Sequence, residues 1–302
     1  MSCHVGYVAL IGRPNVGKST LLNNLLGQKV AIISDKPQTT RISILGIKTT
    51  EKGQIIFIDN PGIHKPLHRL NRRMMNYVYS ALETADLLML MIDATQKFGH
   101  GDEFVIETLE KVNTPVFLLI NKIDLISKEK VLPLIDHYKD LLPFKQIIPV
   151  SALKGTNLDV LEKHIYQELP EAEKIYSDEE ISTQSQRFQL SEIIREKVLD
   201  NVEQELPYVT AVIINRMEER EPPAGEEEKN PVRYIRASII VEREGHKKII
   251  LGRRGRMIKT IGSQARKEIE KLFDTRIYLD LRVQVKAKWR DAADVLDLIE
   301  QQ

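Results

Sequence analysis

Short apolar runs alternate with amphipathic, helix-like stretches through the first 168 residues of the chain. Apolar runs of this kind, separated by helical patterns, are typical of buried strands in a mostly parallel sheet. A tight turn at residues 51–53 joins the second and third runs, so that pair should be antiparallel. The pattern predicts a doubly wound α/β sheet covered by helices. Its strands are expected at 5–11, 42–50, 54–59, 87–93, 115–120 and 146–150.

The second half of the chain has a different order of elements. Residues 170–186 are polar and are expected to form a linker between a domain at 1–169 and another at 187–302. The acidic, Pro- and Gly-containing stretch 218–231 is expected to be a solvated hairpin loop without a catalytic role. The predicted α+β order is a helix at 187–204, strands at 208–217 and 233–242, two helices around 252–255, and a strand at 276–288.

Charge is distributed unevenly, although the chain of 302 residues has a net charge of only +1. Residues 246–290 contain 14 Lys and Arg against 4 Asp and Glu, which leaves 30 against 39 elsewhere. This asymmetry predicts a localised site for a polyanion. The single Cys3 excludes an internal disulfide, no signal peptide is recognisable, and the apolar stretch 87–92 is too short to span a bilayer. A cytoplasmic location is expected.

Residues 12–19 read G-R-P-N-V-G-K-S and lie between a predicted strand and a predicted helix. This arrangement surrounds an anion with backbone N–H groups and a helix N-terminus, which suits the phosphates of a nucleotide. Lys18 is expected to reach the outer phosphates, and the Ser19 hydroxyl to bind Mg²⁺. The predicted nucleotide-binding residues of this loop are Gly12, Asn15, Val16, Gly17, Lys18, Ser19 and Thr20.

The sequence N-K-I-D at 121–124 follows the predicted strand at 115–120. Asp124 could accept hydrogen bonds from the ring N–H and the amino group of guanine, whereas adenine lacks that pair of donors. GTP is therefore favoured over ATP. The sequence S-A-L at 151–153 follows another strand and could present the Ala152 amide to the guanine oxygen. The predicted base-binding residues are Asn121, Lys122, Asp124, Ser151, Ala152 and Leu153.

Asp59 and Gly62, in D-N-P-G, are expected at the γ-phosphate. Asp59 could hold Mg²⁺ through water, and the Gly62 amide could contact the terminal phosphate. A threonine of the segment K-P-Q-T-T-R at 36–41 should supply a further Mg²⁺ ligand; Thr40 is preferred and Thr39 is the alternative. The predicted catalytic residues are Asn15, Lys18, Thr40 and Gly62, and the metal ligands are Ser19, Thr40 and Asp59.

Ile63 follows Gly62, where many GTPases place a glutamine that orients the attacking water. An isoleucine cannot do this, so hydrolysis should be slow. His64 could act as a general base, but a surface histidine in a mobile loop is the favoured interpretation.

The sequence Gly252-Arg253-Arg254-Gly255 lies between two predicted helices and resembles the GXXG loop of a type II KH domain. The glycines allow a nucleic-acid backbone to approach, and the arginines supply charge for its phosphates. Ile249, Ile250, Ile258 and Ile261 are expected to be partly core and partly a floor for bases, and Trp289 to be a packing residue. The predicted RNA-binding residues are Lys248, Gly252, Arg253, Arg254, Gly255, Arg256 and Lys259.

Together these motifs resemble the TRAFAC-class GTPases, and more closely the Era family of ribosome-associated GTPases, over nearly the whole chain. The resemblance implies a P-loop G domain followed by a type II KH domain, Mg²⁺-dependent hydrolysis of GTP to GDP, and binding to the 3′ end of small-subunit (16S) ribosomal RNA. It also implies a role in assembly of that subunit. Asn15 matches an asparagine that ligates K⁺ in related GTPases; alternatively, it only stabilises the loop.

Two other functions stay open at this stage. One is an RNA-binding assembly factor in which GTP is structural and hydrolysis is incidental. The other is signalling at a membrane through the basic face, because lipid head groups are also anionic. The chain is expected to be a monomer that is cytoplasmic, with part of it peripherally associated with the inner face of the membrane.

Overall fold

The computed structural model describes residues 3–36, 38–203, 205–220 and 232–302. The chain divides into two compact units: Met1–Leu67 with Asn71–Thr183, and His68–Leu70 with Gln184–Gln302. Pro37 and most of the expected loop at 218–231, namely residues 221–231, lie outside the described residues.

The first unit contains a six-stranded sheet in the order β2-β3-β1-β4-β5-β6. β2 pairs antiparallel with β3, and the other neighbours pair parallel, as the sequence predicts. The central strands are nearly fully buried, because helices cover both faces. The strands are β1 (His4–Gly12), β2 (Ile44–Thr50), β3 (Gly53–Asp59), β4 (Leu87–Asp93), β5 (Val116–Asn121) and β6 (Gln146–Pro149).

The helices that accompany this sheet follow its strands in the alternation that the sequence predicts. Their apolar side chains join those of the sheet in a core that includes Val78, Leu88, Leu118 and Ile120. The carboxyl ends of β1, β4 and β5 therefore lie together at one edge, where open α/β sheets bind ligands. The helices are α1 (Lys18–Leu26), α2 (Arg69–Thr84), α3 (His100–Leu109), α4 (Val131–Tyr138) and α5 (Leu158–Glu168).

The polar segment after α5, expected to be a linker, is hydrogen-bonded to the first unit. The Val5 amide donates to Pro170, the Ile47 amide donates to Ile181, and the buried Gln54 side chain accepts from the Tyr176 amide at 2.9 Å. Residues 170–183 thus continue the first unit. That residues 1–169 form a domain able to fold by itself stays a prediction.

The second unit has the α+β order that the sequence predicts. Its sheet has the order β7-β8-β9, with β7 and β8 antiparallel and β8 and β9 parallel. The final helix, α9, was not expected from the sequence. The elements are α6 (Gln186–Asn201), β7 (Ala211–Arg220), β8 (Val232–Val241), α7 (Glu244–Leu251), α8 (Arg256–Phe273), β9 (Ile277–Val285) and α9 (Ala293–Glu300).

None of the helices in the described part of the chain is both long enough and apolar enough to cross a bilayer.

Candidate nucleotide and RNA sites

The phosphate loop leaves β1 at Gly12 and enters α1 at Lys18. Gly17 has φ 102°, and a Cβ there would lie 2.3 Å from Asn121 Nδ2, so only glycine fits this approach. The Lys18 side chain is buried, and its Nζ donates to the carbonyl oxygens of Gly12 at 3.2 Å and Arg13 at 3.0 Å. The loop is therefore already shaped around the place of a phosphate chain.

Three side-chain oxygens meet beside this loop, and they come from three separate segments of the chain. Ser19 Oγ donates to Asp59 Oδ2 at 2.6 Å and lies 3.0 Å from Thr40 Oγ1. The Thr40 hydroxyl lies 3.4 Å from the same carboxylate oxygen. Thr39 does not join this group, since its hydroxyl donates to the Lys36 carbonyl at 2.6 Å. The arrangement therefore brings the preferred threonine, not the alternative, to Ser19 and Asp59.

The predicted Mg²⁺ ligands fit a hard cation. Asp59 is fully buried, and its Oδ1 accepts no hydrogen bond from any residue that the structure describes. A buried carboxylate oxygen without a partner is costly unless a cation or a donor satisfies it. Two hydroxyls and one carboxylate are ligands that Mg²⁺ accepts, and its remaining positions normally go to phosphate and water.

Burial also changes the charge equilibria of Lys18 and Asp59. Burial lowers the pKa of Lys18 to about 8, against an opposing effect of Asp59. Burial raises the pKa of Asp59 to about 6, opposed by Lys18, Ser19 and Thr40. A phosphate chain next to Lys18 and a cation next to Asp59 would each restore the charged form. The site is thus electrostatically suited to an anion and a cation together.

The N-K-I-D residues fasten the end of β5 to the phosphate loop. Asn121 Nδ2 donates to the Val16 carbonyl at 2.7 Å, and Lys122 Nζ donates to the Asn15 carbonyl at 2.9 Å. Asp124 is exposed, and its Oδ1 accepts from Ser151 Oγ at 2.6 Å. The carboxylate is thus held in place for the base by a residue of the S-A-L sequence.

The sequence suggested that the Ala152 amide could contact the guanine oxygen. In the structure this amide already has a partner. Its N–H donates to Asn121 Oδ1 at 2.9 Å. A contact with the guanine oxygen would have to share or replace this hydrogen bond, so that contact stays a prediction. Leu153 is 69% exposed, in keeping with a flank of a base site rather than with core packing.

A cleft of about 580 Å³ connects these groups. It is large enough for a nucleotide-sized ligand. Four predicted residues do not line the cleft: Gly12, Val16, Asp59 and Ser151. The predicted residues that line it are Asn15, Gly17, Lys18, Ser19, Thr20, Thr40, Gly62, Asn121, Lys122, Asp124, Ala152 and Leu153.

Sequence reasoning missed Asp93 at the end of β4. Its Oδ2 accepts from Lys122 Nζ at 2.6 Å, while Thr95 donates to its Oδ1. Burial raises the pKa of Asp93, but the hydrogen bonds from Lys122 and Thr95 outweigh it and hold that pKa below its usual value. Asp93 therefore positions Lys122 as a charged partner. Its place at the carboxyl end of a central strand was the available signal.

Asn60 is a second functional residue that sequence reasoning missed. It is fully buried, and its Oδ1 accepts from Ser43 Oγ at 2.7 Å. Ser43 lies three residues after Thr40, and Asn60 lies two residues before Gly62. The hydrogen bond therefore joins the two segments expected to contact the γ-phosphate.

The positions of the residues after Asp59 determine which of their groups could orient an attacking water. Gly62 lies so close to the phosphate loop that a Cβ would be 2.5 Å from the Pro14 nitrogen. The Ile63 side chain is 2% exposed and belongs to the core. His64 is half-buried rather than a surface residue, since Nδ1 lies 2.7 Å from the Gly62 carbonyl and Nε2 2.8 Å from Asn71 Nδ2, while the mobility of its loop stays a prediction. Both ring nitrogens are thus in use.

The GXXG loop joins α7 to α8. Gly252 and Gly255 have φ 70° and 73°, and Arg254 has φ 52°. A Cβ at Gly252 would lie 2.6 Å from the Met257 Cβ, so the backbone path needs glycine there. The cationic side chains around the loop are all exposed: Lys248, Arg253, Arg254, Arg256 and Lys259.

The apolar residues around this loop separate into core and surface. Ile250 and Ile261 are fully buried, Ile258 is half-buried against the core, and Ile249 is 51% exposed. Only the last two could form a floor for bases. Trp289 is fully buried, and its Nε1 donates to the Val209 carbonyl at 2.8 Å, which confirms that it is a packing residue.

The strand order, the phosphate loop and the N-K-I-D sequence at the end of β5 define a P-loop GTP-binding protein, and the second unit adds a KH fold. Residues 7–122 match a family described as "50S ribosome-binding GTPase", and residues 205–290 match one described as "KH domain". The chain is 47% identical to GTPase Era of Halothermothrix orenii over 291 residues, 96% of each sequence. The chain belongs to the Era family of GTPases, enzymes that hydrolyse GTP.

Solved structures agree with this assignment. A crystal structure of Era in complex with MgGDPNP and nucleotides 1506–1542 of 16S ribosomal RNA matches with a TM-score of 0.93 and 42% identity, over 98% of both chains. A crystal structure of Aquifex aeolicus Era with one tyrosine changed to alanine, bound to GDP·AlF4⁻, matches with a TM-score of 0.91 and 41% identity, again over 98% of both chains.

Proposed function

We propose that this chain hydrolyses GTP slowly and that its nucleotide state controls binding of the KH unit to the 3′ end of 16S ribosomal RNA, in assembly of the small ribosomal subunit. One observation carries the switch: Ser19, Thr40 and Asp59 come together from three segments beside Lys18. A ligand that bridges them would hold the Thr40 segment in one position, and its hydrolysis would release that segment.

Hydrolysis in this site relies on positioning and charge. Lys18 binds the outer phosphates, and Gly62 lines the cleft, so its backbone amide would be the group that contacts the γ-phosphate. The attacking water has no side chain of this loop to orient it, because Ile63 is in the core and His64 is held by two partners. Backbone groups are left to place it, helped by any cation that the site would hold, so turnover is slow.

The residues around the phosphate loop could hold two cations that would support this chemistry. Ser19, Thr40 and Asp59 hold Mg²⁺, which neutralises charge on the β- and γ-phosphates when bound. Asn15 is the candidate K⁺ ligand: its Nδ2 donates to the Asp35 carbonyl at 2.5 Å, while its Oδ1 accepts nothing within the described part of the chain. Its amide oxygen is therefore available to a cation. If hydrolysis ran equally fast in sodium and potassium buffers, this role of Asn15 would be wrong.

The RNA partner follows from the KH unit and from the relatives. Five exposed cations surround the GXXG loop, and the solved Era complex contains nucleotides 1506–1542 of 16S ribosomal RNA. The G-domain family is described as binding the 50S subunit, but that match covers only residues 7–122. Because the Era relatives match nearly the whole chain, the small subunit is the better-supported partner.

Single-turnover GTP hydrolysis with and without a 16S 3′-end RNA tests the proposal. We expect the RNA to accelerate hydrolysis several-fold, and the GTP-bound form to bind the RNA more tightly than the GDP-bound form. Equal rates and equal affinities would instead favour an RNA-binding factor in which GTP is structural.

The monomeric state, the cytoplasmic location and the peripheral membrane contact remain predictions. Sedimentation of the purified protein and its partition between cytosol and membranes would test them.

A further inference from the structure

Helix α8 carries a row of cations on its solvent-facing side. We call Arg256, Lys259, Arg266, Lys267 and Lys271 the α8 cation stripe; all five side chains are exposed. The opposite side of the helix is core, since Ile261, Ala265 and Ile269 are fully buried. The stripe therefore faces directly away from the sheet.

The acids of α8 do not neutralise the stripe. Glu268 Oε2 lies 2.5 Å from Lys197 Nζ, toward α6, and Glu270 accepts from the Ile277 amide at 3.1 Å. Only Arg266 lies near one of these acids, with its Nε 3.9 Å from the other oxygen of Glu270. The other four cations form no ion pair within the described residues.

This arrangement opposes the stability of the helix. Lys267 and Lys271 are four residues apart on one face, and like charges at that spacing repel each other. A ligand with repeated negative charge would remove the repulsion.

The length and the position of the stripe suit an RNA strand. It begins at Arg256, directly after the GXXG loop, and extends about 22 Å along the helix at 1.5 Å per residue. A GXXG loop holds about four nucleotides. A phosphate backbone that runs along this length would pass several of the five cations in turn.

We propose that the α8 cation stripe binds the phosphate backbone of RNA that continues beyond the nucleotides held at the GXXG loop. The inference rests on the proposed RNA-binding function. The contacts are to phosphate and therefore independent of base sequence. A lipid surface fits less well, because an interfacial helix must insert its apolar face, and that face of α8 is packed in the core.

The test compares RNA lengths with a charge-matched control. One RNA is a six-nucleotide segment of the 16S 3′ end, and two twenty-nucleotide RNAs extend it on the 5′ or the 3′ side. The variant is Lys267→Glu with Lys271→Glu. The control is Lys128→Glu with Lys130→Glu, two exposed lysines of the first unit. Both variants change the net charge equally.

We expect the stripe variant to bind one of the longer RNAs at least tenfold more weakly at 0.15 M salt, and the six-nucleotide RNA within twofold of the original chain. The slope of log affinity against log salt for that longer RNA should fall by about 1.4, or 0.7 per lost phosphate contact. The control should bind all three RNAs within twofold of the original chain.

Three results would overturn the inference. The first is a stripe variant whose losses equal the control's for every RNA. The second is an equal loss on the short and long RNAs. The third is lost binding to vesicles with 30% anionic phospholipid while RNA binding is unchanged. If the original chain binds none of the RNAs, the proposed function itself fails. Thermal melts verify folding, and Lys267→Gln with Lys271→Gln replaces a variant that unfolds.

Discussion

The phosphate loop and the GXXG loop are both glycine-containing turns that lead into a helix. They differ in the burial of their cationic side chains. Lys18 is 6% exposed and is already bonded to backbone carbonyls. The side chains of Arg253 and Arg254 are exposed and form no hydrogen bond or ion pair within the described residues. The phosphate loop therefore presents a desolvated charge in a fixed position. The GXXG loop presents solvated charges on side chains that can adjust.

This difference teaches what each loop can recognise. A fixed charge in a buried site interacts strongly and costs little to reorganise, so it suits one ligand of defined shape. Solvated charges on long side chains suit a flexible polyanion, and their binding weakens steeply with salt. Nucleotide affinity should therefore depend on geometry, and RNA affinity on the number of charges.

The largest effect is expected from Lys18→Ala. Removal of the buried ammonium takes away the main charge for the outer phosphates, so GTP affinity should fall about 1000-fold. RNA affinity of the nucleotide-free protein should stay within twofold. Fluorescent-nucleotide titration measures the first quantity and filter binding the second. A loss of GTP affinity under tenfold would contradict the proposed role of Lys18.

Replacement of Arg253 and Arg254 with glutamate is the converse experiment. Reversal of two phosphate-facing charges should weaken RNA binding about 100-fold, because each contact becomes repulsive. GTP affinity should be nearly unchanged. Filter binding at two salt concentrations measures the effect. Unchanged RNA affinity would exclude this loop as the RNA site.

Glycine substitutions compare the rigidity of the two loops. Gly17→Ala places a Cβ 2.3 Å from Asn121 Nδ2 at φ 102°, so GTP affinity should fall about 30-fold. Gly255→Ala, with φ 73° and no atom within 4 Å of the new Cβ, should cost only about 1 kcal/mol of stability. Nucleotide titration and thermal melts measure these changes. A loss of GTP affinity under threefold for Gly17→Ala, or a loss of stability at Gly255 larger than that at Gly17, would contradict this difference in rigidity.

The smallest effect concerns the threonine pair within the first site. Thr40→Ala removes a predicted Mg²⁺ ligand and should slow hydrolysis about tenfold, with GDP affinity within twofold. The Thr39 hydroxyl donates to the Lys36 carbonyl rather than to Ser19 or Asp59, so Thr39→Ala should change the rate less than threefold. Single-turnover assays over a range of Mg²⁺ concentrations distinguish the two. A larger effect at Thr39 would reverse the assignment.

The sequence predicts the order of elements in both units and the residues at strand ends, because these depend on local patterns and on motif spacing. It does not predict contacts between distant segments. Asp93 and Lys122 are 29 residues apart along the chain and meet only because β4 and β5 are neighbours in the sheet. The same holds for Ser43 and Asn60, which lie on adjacent loops.

At two places polarity alone does not reveal how the chain is held. Residues 170–183 have the composition of a linker, but their backbone is hydrogen-bonded to the first unit. The partners are the buried Gln54 side chain and backbone groups of the strands. His64 is a polar residue of the kind expected at a surface, but its ring is hydrogen-bonded to the Asn71 side-chain amide. In both cases a polar residue is held by a partner that no local pattern marks.

The position of Ile63 has a consequence for how this enzyme could be altered. Because the side chain anchors its loop in the core, a glutamine there would have to bury an amide or pull the loop out of register with Gly62. Faster turnover cannot be gained by restoring a familiar residue at that one position. The core packing of Ile63 therefore limits how fast bound GTP can be hydrolysed. Only groups supplied from outside the cleft could shorten the lifetime of the GTP-bound form.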